Sequence, residues 1–377
     1  MVKKEIIVIG AGASGLMAAS RYRDRDIALL EGNARPAEKI KISGGGKCNI
    51  TNKDVSPEHY LGDPAFTGDI LAGFTQRDLL AWLRERGLDP VVRKGSQYFC
   101  PRSSQELISL LLHEVQGVPL LTGHKVLDIS KEEDFIVTTD RGEFEAKKVV
   151  VAAGGLSFPK IGATDIAFRI AEKFGHTVHT PKPALVGFTL QKAQFWMKSL
   201  SGISLPVHVN VGAKSITGDM LFAHRGISGP AILNSSLYWQ KGEIVIDFLP
   251  GRQLDDRLFG SRKQISTVLG LPRRFMKAFL DAIGLKDQPL CTLDHEAKAK
   301  LEKIKSYRFA PAGNFGYSKA EVTAGGVATD EIDPKTMMSR KCEGLYFLGE
   351  ALDVTGELGG YNFQWAFATA QRLKIEV

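Results

Sequence analysis

The sequence has little that would tie it to an oxidising compartment or to a membrane. Its 377 residues include four cysteines, Cys48, Cys100, Cys291 and Cys342, too scattered for a disulfide framework and without a C-x-x-C pair. Reduced thiols are expected. No stretch approaches the roughly 18 uninterrupted apolar residues of a membrane span, and Gly10, Gly12 and Gly15 break the apolar run behind Lys3 and Lys4 where a signal peptide would need its core. A cytoplasmic protein with no membrane partner is expected. Charge of one sign is not obviously concentrated: the net charge is +7 and the pI 9.1, but the densest run, Lys298, Lys300, Lys303 and Lys305, is interspersed with Glu296 and Glu302 as on a solvated helix face. Read along the chain, the charge is diffuse, and no nucleic-acid partner is expected. His176 and His179 have no carboxylate or cysteine at ligand spacing, so no metal is expected either.

What is present begins at the first residue. Ile6 to Ile9 form a short apolar run that enters Gly10-Ala11-Gly12-Ala13-Ser14-Gly15, a G-x-G-x-x-G turn, and Glu31 closes the next strand, Ala28-Leu29-Leu30. In this pattern the first glycine makes a tight turn, the second lets backbone approach a pyrophosphate, and the third packs a helix whose N-terminal N–H groups hold the phosphates. Glu31 can accept both hydroxyls of an adenosine ribose and would repel a 2′-phosphate, which selects FAD or NAD over NADP. There is no second unit of this kind for a nicotinamide: Gly154-Gly155 and the Gly226/Gly229 loop both miss the spacing. NAD(P)H would then bind only transiently, or the electrons would come from the substrate.

Further along, 77–86 and 103–115 read as amphipathic helices. Between Lys125 and Val150 the period falls to two, giving strands at Val126 to Ile129, Phe135 to Thr139 and Phe144 to Val151, the last ending at Ala153-Gly154-Gly155. Residues 184–249 are strand-rich, Leu254 to Tyr307 turn helical, and Phe309 to Ala328 return to strand-like sequence. The strand Gly344 to Leu348 ends in Gly349-Glu350, and Gly359-Gly360-Tyr361-Asn362 opens a closing helix. The division expected is one discontinuous nucleotide domain, 1–183 with 340–377, a β-barrel domain, 184–253 with 307–339, and a small helical domain, 254–306.

A second constellation is Ser43-Gly44-Gly45-Gly46-Lys47-Cys48-Asn49-Ile50-Thr51-Asn52, whose glycines offer consecutive N–H groups to an anion. Taken with the first turn, Ala153 to Pro159, His224 to Pro230, Val322 to Val327 and Gly359 to Trp365, it resembles the BaiN and aminoacetone oxidase family of bacterial FAD-dependent oxidoreductases over nearly the whole chain. The resemblance implies an α/β chain with a glutathione-reductase-like, FAD-binding Rossmann domain, an inserted β-barrel, a helical domain and non-covalent FAD. By the same resemblance, the cofactor-binding residues are Gly10, Gly12, Ala13, Ser14, Gly15, Glu31, Lys39, Ser43, Gly44, Gly45, Gly46, Lys47, Cys48, Asn49, Val126, Ala153, Gly154, Gly349, Glu350, Gly360, Tyr361 and Asn362. The helix near Gly360 would aim its positive end at the flavin O2. Three departures bear on local contacts: Ala37-Glu38-Lys39 replaces the usual Gly-Arg/Lys-Lys, no Gly-Asp-Gly follows Gly162, and the chain stops soon after Ala370.

Flavin disulfide reductases carry a second cysteine five positions after the one matching Cys48; Lys53 stands there, which excludes that chemistry and leaves Cys48 as a packed thiol. The expectation is an oxidoreductase that exchanges a hydride between flavin N5 and a small organic substrate at the seam of the FAD and β domains, reducing a conjugated enone or oxidising an amine. His224 and Arg225, read as part of a strand–helix junction with Pro230 at the helix start, are the candidate substrate contacts. No catalytic acid or base is singled out. The alternatives are a flavin-dependent RNA-modifying enzyme, motivated by the pI, and a non-catalytic flavin sensor.

Overall fold

The computed structural model describes residues 1–376 and resolves two compact units, residues 1–183 with those from 321 onward, and residues 184–320. In the first, strand Val2–Ile9 lies between two parallel partners, Ile27–Glu31 and Gly142–Val151. Leu120–Thr122 extends the parallel sheet beyond Ile27–Glu31, and Leu345–Phe347 pairs in parallel with Val149, Val150 and Val151. The runs Ile6 to Ile9, Ile27 to Leu30 and Val149 to Val151 are buried throughout, because helices cover the sheet and leave no solvent face that would call for alternation. The meander expected after Lys125 is present: Val126–Lys131 pairs antiparallel with Phe135–Thr139, which pairs antiparallel with Gly142–Val151. Among the covering helices, Ala13–Arg21 and Tyr361–Arg372 pack on each other, so both ends of the chain belong to one layer.

Two helices read from periodicity are found as Gln76–Glu85 and Gln105–Glu114. The first starts sharply because Thr75 and Asp78 form a reciprocal capping box, with the Thr75 N–H donating to the Asp78 carboxylate at 2.8 Å.

The second unit holds seven antiparallel strands in one ladder that begins at Tyr307–Phe309, passes through Ile244–Asp247, Ser204–Val211, Lys214–Ala223, Gly226–Ser228 and Phe188–Thr189, and ends at Gly313–Asn314. The boundaries differ from expectation in two places. Residues 321–339, expected in the β domain, fold with the first unit: Val322–Val327 pairs with Val178–Ala184, and Ile332 and Met337 join that unit's core. A period of two marks a strand without naming its partner sheet. The helical stretch 254–306, expected as a third domain, shares one core with the strands. Phe275 of helix Arg273–Ala282 sits with its ring centroid 5.0 Å from Phe248 and 5.9 Å from Phe222.

One buried polar group ties distant parts of the first unit together. The ring of His176, fully buried, sets Nδ1 3.1 Å from Glu331 Oε2 and accepts the Ser339 hydroxyl at Nε2, 2.6 Å away. Ser, His and Glu stand in the order of a hydrolytic triad. The Ser339 oxygen, however, also accepts the N–H groups of Lys341 and Cys342 at 3.0 and 2.9 Å and is itself buried, so the cluster is a strut and not a nucleophile. Burial pushes the His176 ring below its usual value, against the opposing pull of Glu331. Burial would raise the Glu331 carboxyl, but Lys341 and the N–H and hydroxyl of Thr177 outweigh it and hold it at about 2. Both folded values lie below the unfolded ones, so the unfolded chain takes up protons first and both contributions fade on acidification, that of His176 below about 6.5 and that of Glu331 between about 4.5 and about 2. The melting temperature is therefore expected to fall as pH drops below neutral. Glu331→Gln should cost roughly 1–3 kcal/mol at pH 7 and flatten the profile below pH 4.5; a variant that keeps the wild-type acid profile would contradict this assignment.

Candidate functional site

Strand Val2–Ile9 delivers the chain to a turn at Gly10, whose N–H donates to the Leu30 carbonyl at 2.8 Å. The turn is close-packed on one side and open on the other. A Cβ on Gly10, at φ +99°, would stand 2.5 Å from the Ala152 carbonyl oxygen, and one on Gly15 would stand 1.8 Å from that of Gly10. Around Gly12 there is nothing within 4 Å of such an atom. Helix Ala13–Arg21 starts here, and its first intrahelical bond is from the Leu16 N–H to the Gly12 carbonyl. The N–H groups of Ala13, Ser14 and Gly15 precede that bond and border the open space, the arrangement that accommodates a pyrophosphate.

Glu31 is buried at the end of its strand. Its Oε2 accepts the Ala11 N–H at 2.9 Å and its Oε1 the Asn33 N–H at 2.8 Å. Each oxygen keeps a lone pair for a ribose hydroxyl. The Glu31 carbonyl accepts the His124 N–H at 2.9 Å, which brings the buried Val126, first residue of its strand, to the same end of the sheet.

The Gly-rich segment is not a loop along its whole length. Residues 38–42 are helical, then the backbone departs at Ser43 (ψ 151°) and Gly44, Gly45 and Gly46 take left-handed φ of 55°, 65° and 80°. Lys47 is half-buried, and its carbonyl accepts the Cys100 N–H at 3.0 Å. Asn49 then opens strand Asn49–Asn52 opposite Phe99. That register sets Cys48 against Cys100, a neighbour that cysteine spacing alone does not reveal. Both thiols are fully buried, and burial pushes Cys48 far up and Cys100 to about 11, which makes them inert. Cys48 thus lies in the cradle as packing. Nearby, the Asn49 amide donates to Gln97 Oε1 at 2.8 Å while its Oδ1 is buried without a partner, and Arg93 Nε is likewise unmatched. Buried polar atoms normally find partners, so these two suit a bound molecule that supplies them.

The carboxy-terminal residues close the same cradle. Ala153 and Gly154 follow strand Gly142–Val151, and Gly349 lies against Ser14, a Cβ at Gly349 being 3.0 Å from Ser14 Oγ. The indole N–H of Trp365 donates to the Gly349 carbonyl at 3.0 Å. Lys39 Nζ pairs with Glu350 Oε2, and Glu350 Oε1 accepts the Thr323 N–H at 2.9 Å. Thr323 Oγ1 in turn accepts the Leu156 N–H at 2.8 Å. Thr323 is not among the expected site residues, because its Val-Thr-Ala-Gly-Gly run reads from sequence as part of the other domain. Gly360, at φ +95°, backs onto Thr51, with 2.7 Å between a Cβ position and the Thr51 backbone, and starts helix Tyr361–Arg372. Thr51 Oγ1 donates to Gln364 Oε1 at 2.7 Å, and the Asn52 amide to the Gly359 carbonyl at 3.0 Å. Tyr361 stacks on His59 at 4.5 Å between centroids, and burial pushes its phenol up to about 12. Asn362 spends its amide on Gly356, accepting its N–H at 2.9 Å and donating to its carbonyl at 2.8 Å.

His224 and Arg225 stand apart from this list. They are exposed at the tip of the hairpin joining Lys214–Ala223 to Gly226–Ser228 in the second unit, not at a strand–helix junction. The expected junction comes four residues later, where Gly229 precedes helix Pro230–Tyr238 with its proline at the first position.

A parallel sheet with a G-x-G-x-x-G turn, a buried acid at the end of Ile27–Glu31 and glycines brought together from both chain ends is that of an FAD-dependent oxidoreductase. The chain belongs to the HI0933-like family: the model described as HI0933-like protein Rossmann domain matches residues 4–373. It is 36% identical to a ribosomal RNA dihydrouridine synthase of Haemophilus influenzae, over 99% of this chain and 98% of that one, and 36% identical to one so named from Escherichia coli, over 98% and 97%. It is 30% identical to a 3-dehydro-bile acid delta(4,6)-reductase of Clostridium scindens, over 96% of both chains.

Because a Cβ on Gly12 would point into open space and one on Gly15 would meet the Gly10 carbonyl, the two are expected to respond oppositely to a methyl group. Gly12→Ala should keep the melting temperature within a degree or two yet weaken FAD binding by at least about a hundredfold, or roughly 2.7 kcal/mol, in a titration of apoprotein. Gly15→Ala should lower the melting temperature itself, and the reverse pattern would refute the geometry. A thiol reagent should label the exposed Cys291 rapidly in the native protein and leave Cys48 and Cys100 untouched until unfolding.

Proposed function

We propose that this protein is an FAD-dependent reductase that saturates a carbon–carbon double bond conjugated to a carbonyl, and that the bond belongs to a uracil ring in RNA. The similarity over the full chain to two kinds of reductase carries the reading. Making dihydrouridine means adding two hydrogens across the C5–C6 bond of uracil, which is conjugated to the C4 carbonyl; a delta(4,6)-reductase of a 3-oxo steroid works on a double bond conjugated to its ketone. The shared reaction is hydride addition to the β carbon of an enone-type system with a proton from solvent taken up at the α carbon, and amine oxidation has no comparable support. Between the two substrates, RNA is favoured by the higher identity of the relatives named for it and by the chain's net charge of +7.

In this reading the N–H groups of residues 12–15 hold the pyrophosphate, Glu31 the adenosine ribose, and the residues around Gly44 to Asn49 and Gly349 to Glu350 the flavin end, all without a covalent bond. When bound and reduced, the flavin supplies the hydride from N5. Lys39 and Glu350 neutralise each other, and the Thr323 N–H fixes the carboxylate, so the pair presents directed donors and acceptors with little net charge. The amino end of helix Tyr361–Arg372 favours negative charge at the ring edge it faces. His224 and Arg225 are positioned on an exposed tip suited to a substrate anion. NAD(P)H serves as a transient electron donor.

The test is anaerobic. Holoenzyme reduced with NADPH or NADH is mixed with a uracil-rich ribosomal RNA transcript, or with 2-cyclohexenone. Flavin absorbance near about 450 nm should return on mixing with RNA, and digestion should yield a uridine heavier by two hydrogen atoms. Reoxidation by the small enone alone would exclude RNA as substrate, and reoxidation by neither would exclude the reductase reading.

A further inference from the structure

Once the boundary between the units is drawn, the charge is not diffuse. Residues 184–320 carry 19 Lys and Arg against 10 Asp and Glu, while the remainder carries 30 against 32. The entire excess of positive charge therefore sits on the second unit. Among the described residues of that unit, only Lys300 and Lys305 have a carboxylate partner, Glu296 and Asp247 respectively. The other cations face solvent or bond to carbonyls and rings, and none of that cancels their charge.

Five of them lie on two adjoining segments. Helix Arg273–Ala282 buries Phe275, Met276, Phe279 and Leu280 and leaves Arg273, Arg274 and Lys277 exposed. The Arg274 guanidinium donates to the Ser199 carbonyl at 2.5 and 3.0 Å and to that of Ser201 at 3.0 Å, pinning the 3₁₀ segment Lys192–Leu200 beside the helix. That segment exposes Lys192, Lys198 and Phe195, which is 43% exposed, and the Lys198 ammonium lies 3.2 Å from the centre of the Phe195 ring. An exposed aromatic ring among unpaired cations, on a rigid helix-backed surface, is what a single nucleic-acid strand requires: phosphates meet the cations and a base finds a ring to stack on.

We propose that Lys192, Phe195, Lys198, Arg273, Arg274 and Lys277 form a docking face for the backbone of an RNA strand, with Phe195 stacking on a base. This rests on the uracil-in-RNA reading for its biological sense, but it is measured separately. Fluorescence anisotropy of a fluorescein-labelled twelve-residue oligouridine is followed with the FAD-bound protein as salt is raised. The triple variant Lys198→Gln/Arg273→Gln/Lys277→Gln should lower the slope of log affinity against log salt by about 2, at about 0.7 per lost contact with a single strand. Phe195→Ala should weaken binding about tenfold with the slope unchanged. Lys298→Gln/Lys303→Gln, outside this face, should bind as wild type. The flavin spectrum of each variant reports that it has folded. Equal slopes for the wild type and the triple variant overturn the face even if RNA is reduced. Binding to phosphatidylglycerol vesicles but not to oligouridine overturns it in favour of a membrane. RNA binding with the predicted slopes, together with a failure to form dihydrouridine, leaves the face standing and sinks the function proposed above.

Discussion

Everything in the first unit depends on one set of parallel strand pairings. Val2–Ile9 lies beside Gly142–Val151, which lies beside Leu345–Phe347, so three segments each more than a hundred residues from the next end at the same edge of one sheet. Their carboxyl ends are where the chain turns at Gly10, at Ala153 and at Gly349. In open parallel sheets that edge is where ligands bind, and the pairing explains why glycines occur there: backbone meets backbone at distances no side chain allows. The Glu31 and Glu350 carboxylates are then held by the main-chain N–H groups of Ala11, Asn33 and Thr323, a rigid arrangement that costs little to preserve when a cofactor enters.

Much of this was legible because it is local. The G-x-G-x-x-G turn, the acid at the end of the second strand and the meander ending at Val151 each involve residues close in sequence, with a period or spacing that only one structure satisfies. Other features depend on partners that a linear reading cannot supply. Cys100 meets Cys48 only because Asn49 pairs with Phe99, and Thr323 reaches Glu350 only because Val322–Val327 joins Val178–Ala184. Asn362 looked like a ligand-facing amide, but its hydrogen bonds go to Gly356.

The charge is the clearest case of a property hidden by order along the chain. Acidic and basic residues alternate in sequence often enough to look balanced, yet the insertion of residues 184–320 into the nucleotide-binding unit segregates them. The first unit is close to neutral, and the inserted unit carries the whole positive excess and the field that goes with it. The aromatic core that joins helix Arg273–Ala282 to the strands gives that second unit the stiffness to present its cations in a fixed pattern.

A single flavin site made by both ends of the chain would be read out by hydrogen exchange with and without FAD. FAD should slow exchange together, at one stoichiometry, in residues 10–15, 43–49, 349–350 and 360–364. Protection confined to the amino-terminal turn, with the carboxy-terminal segments unchanged, would contradict it.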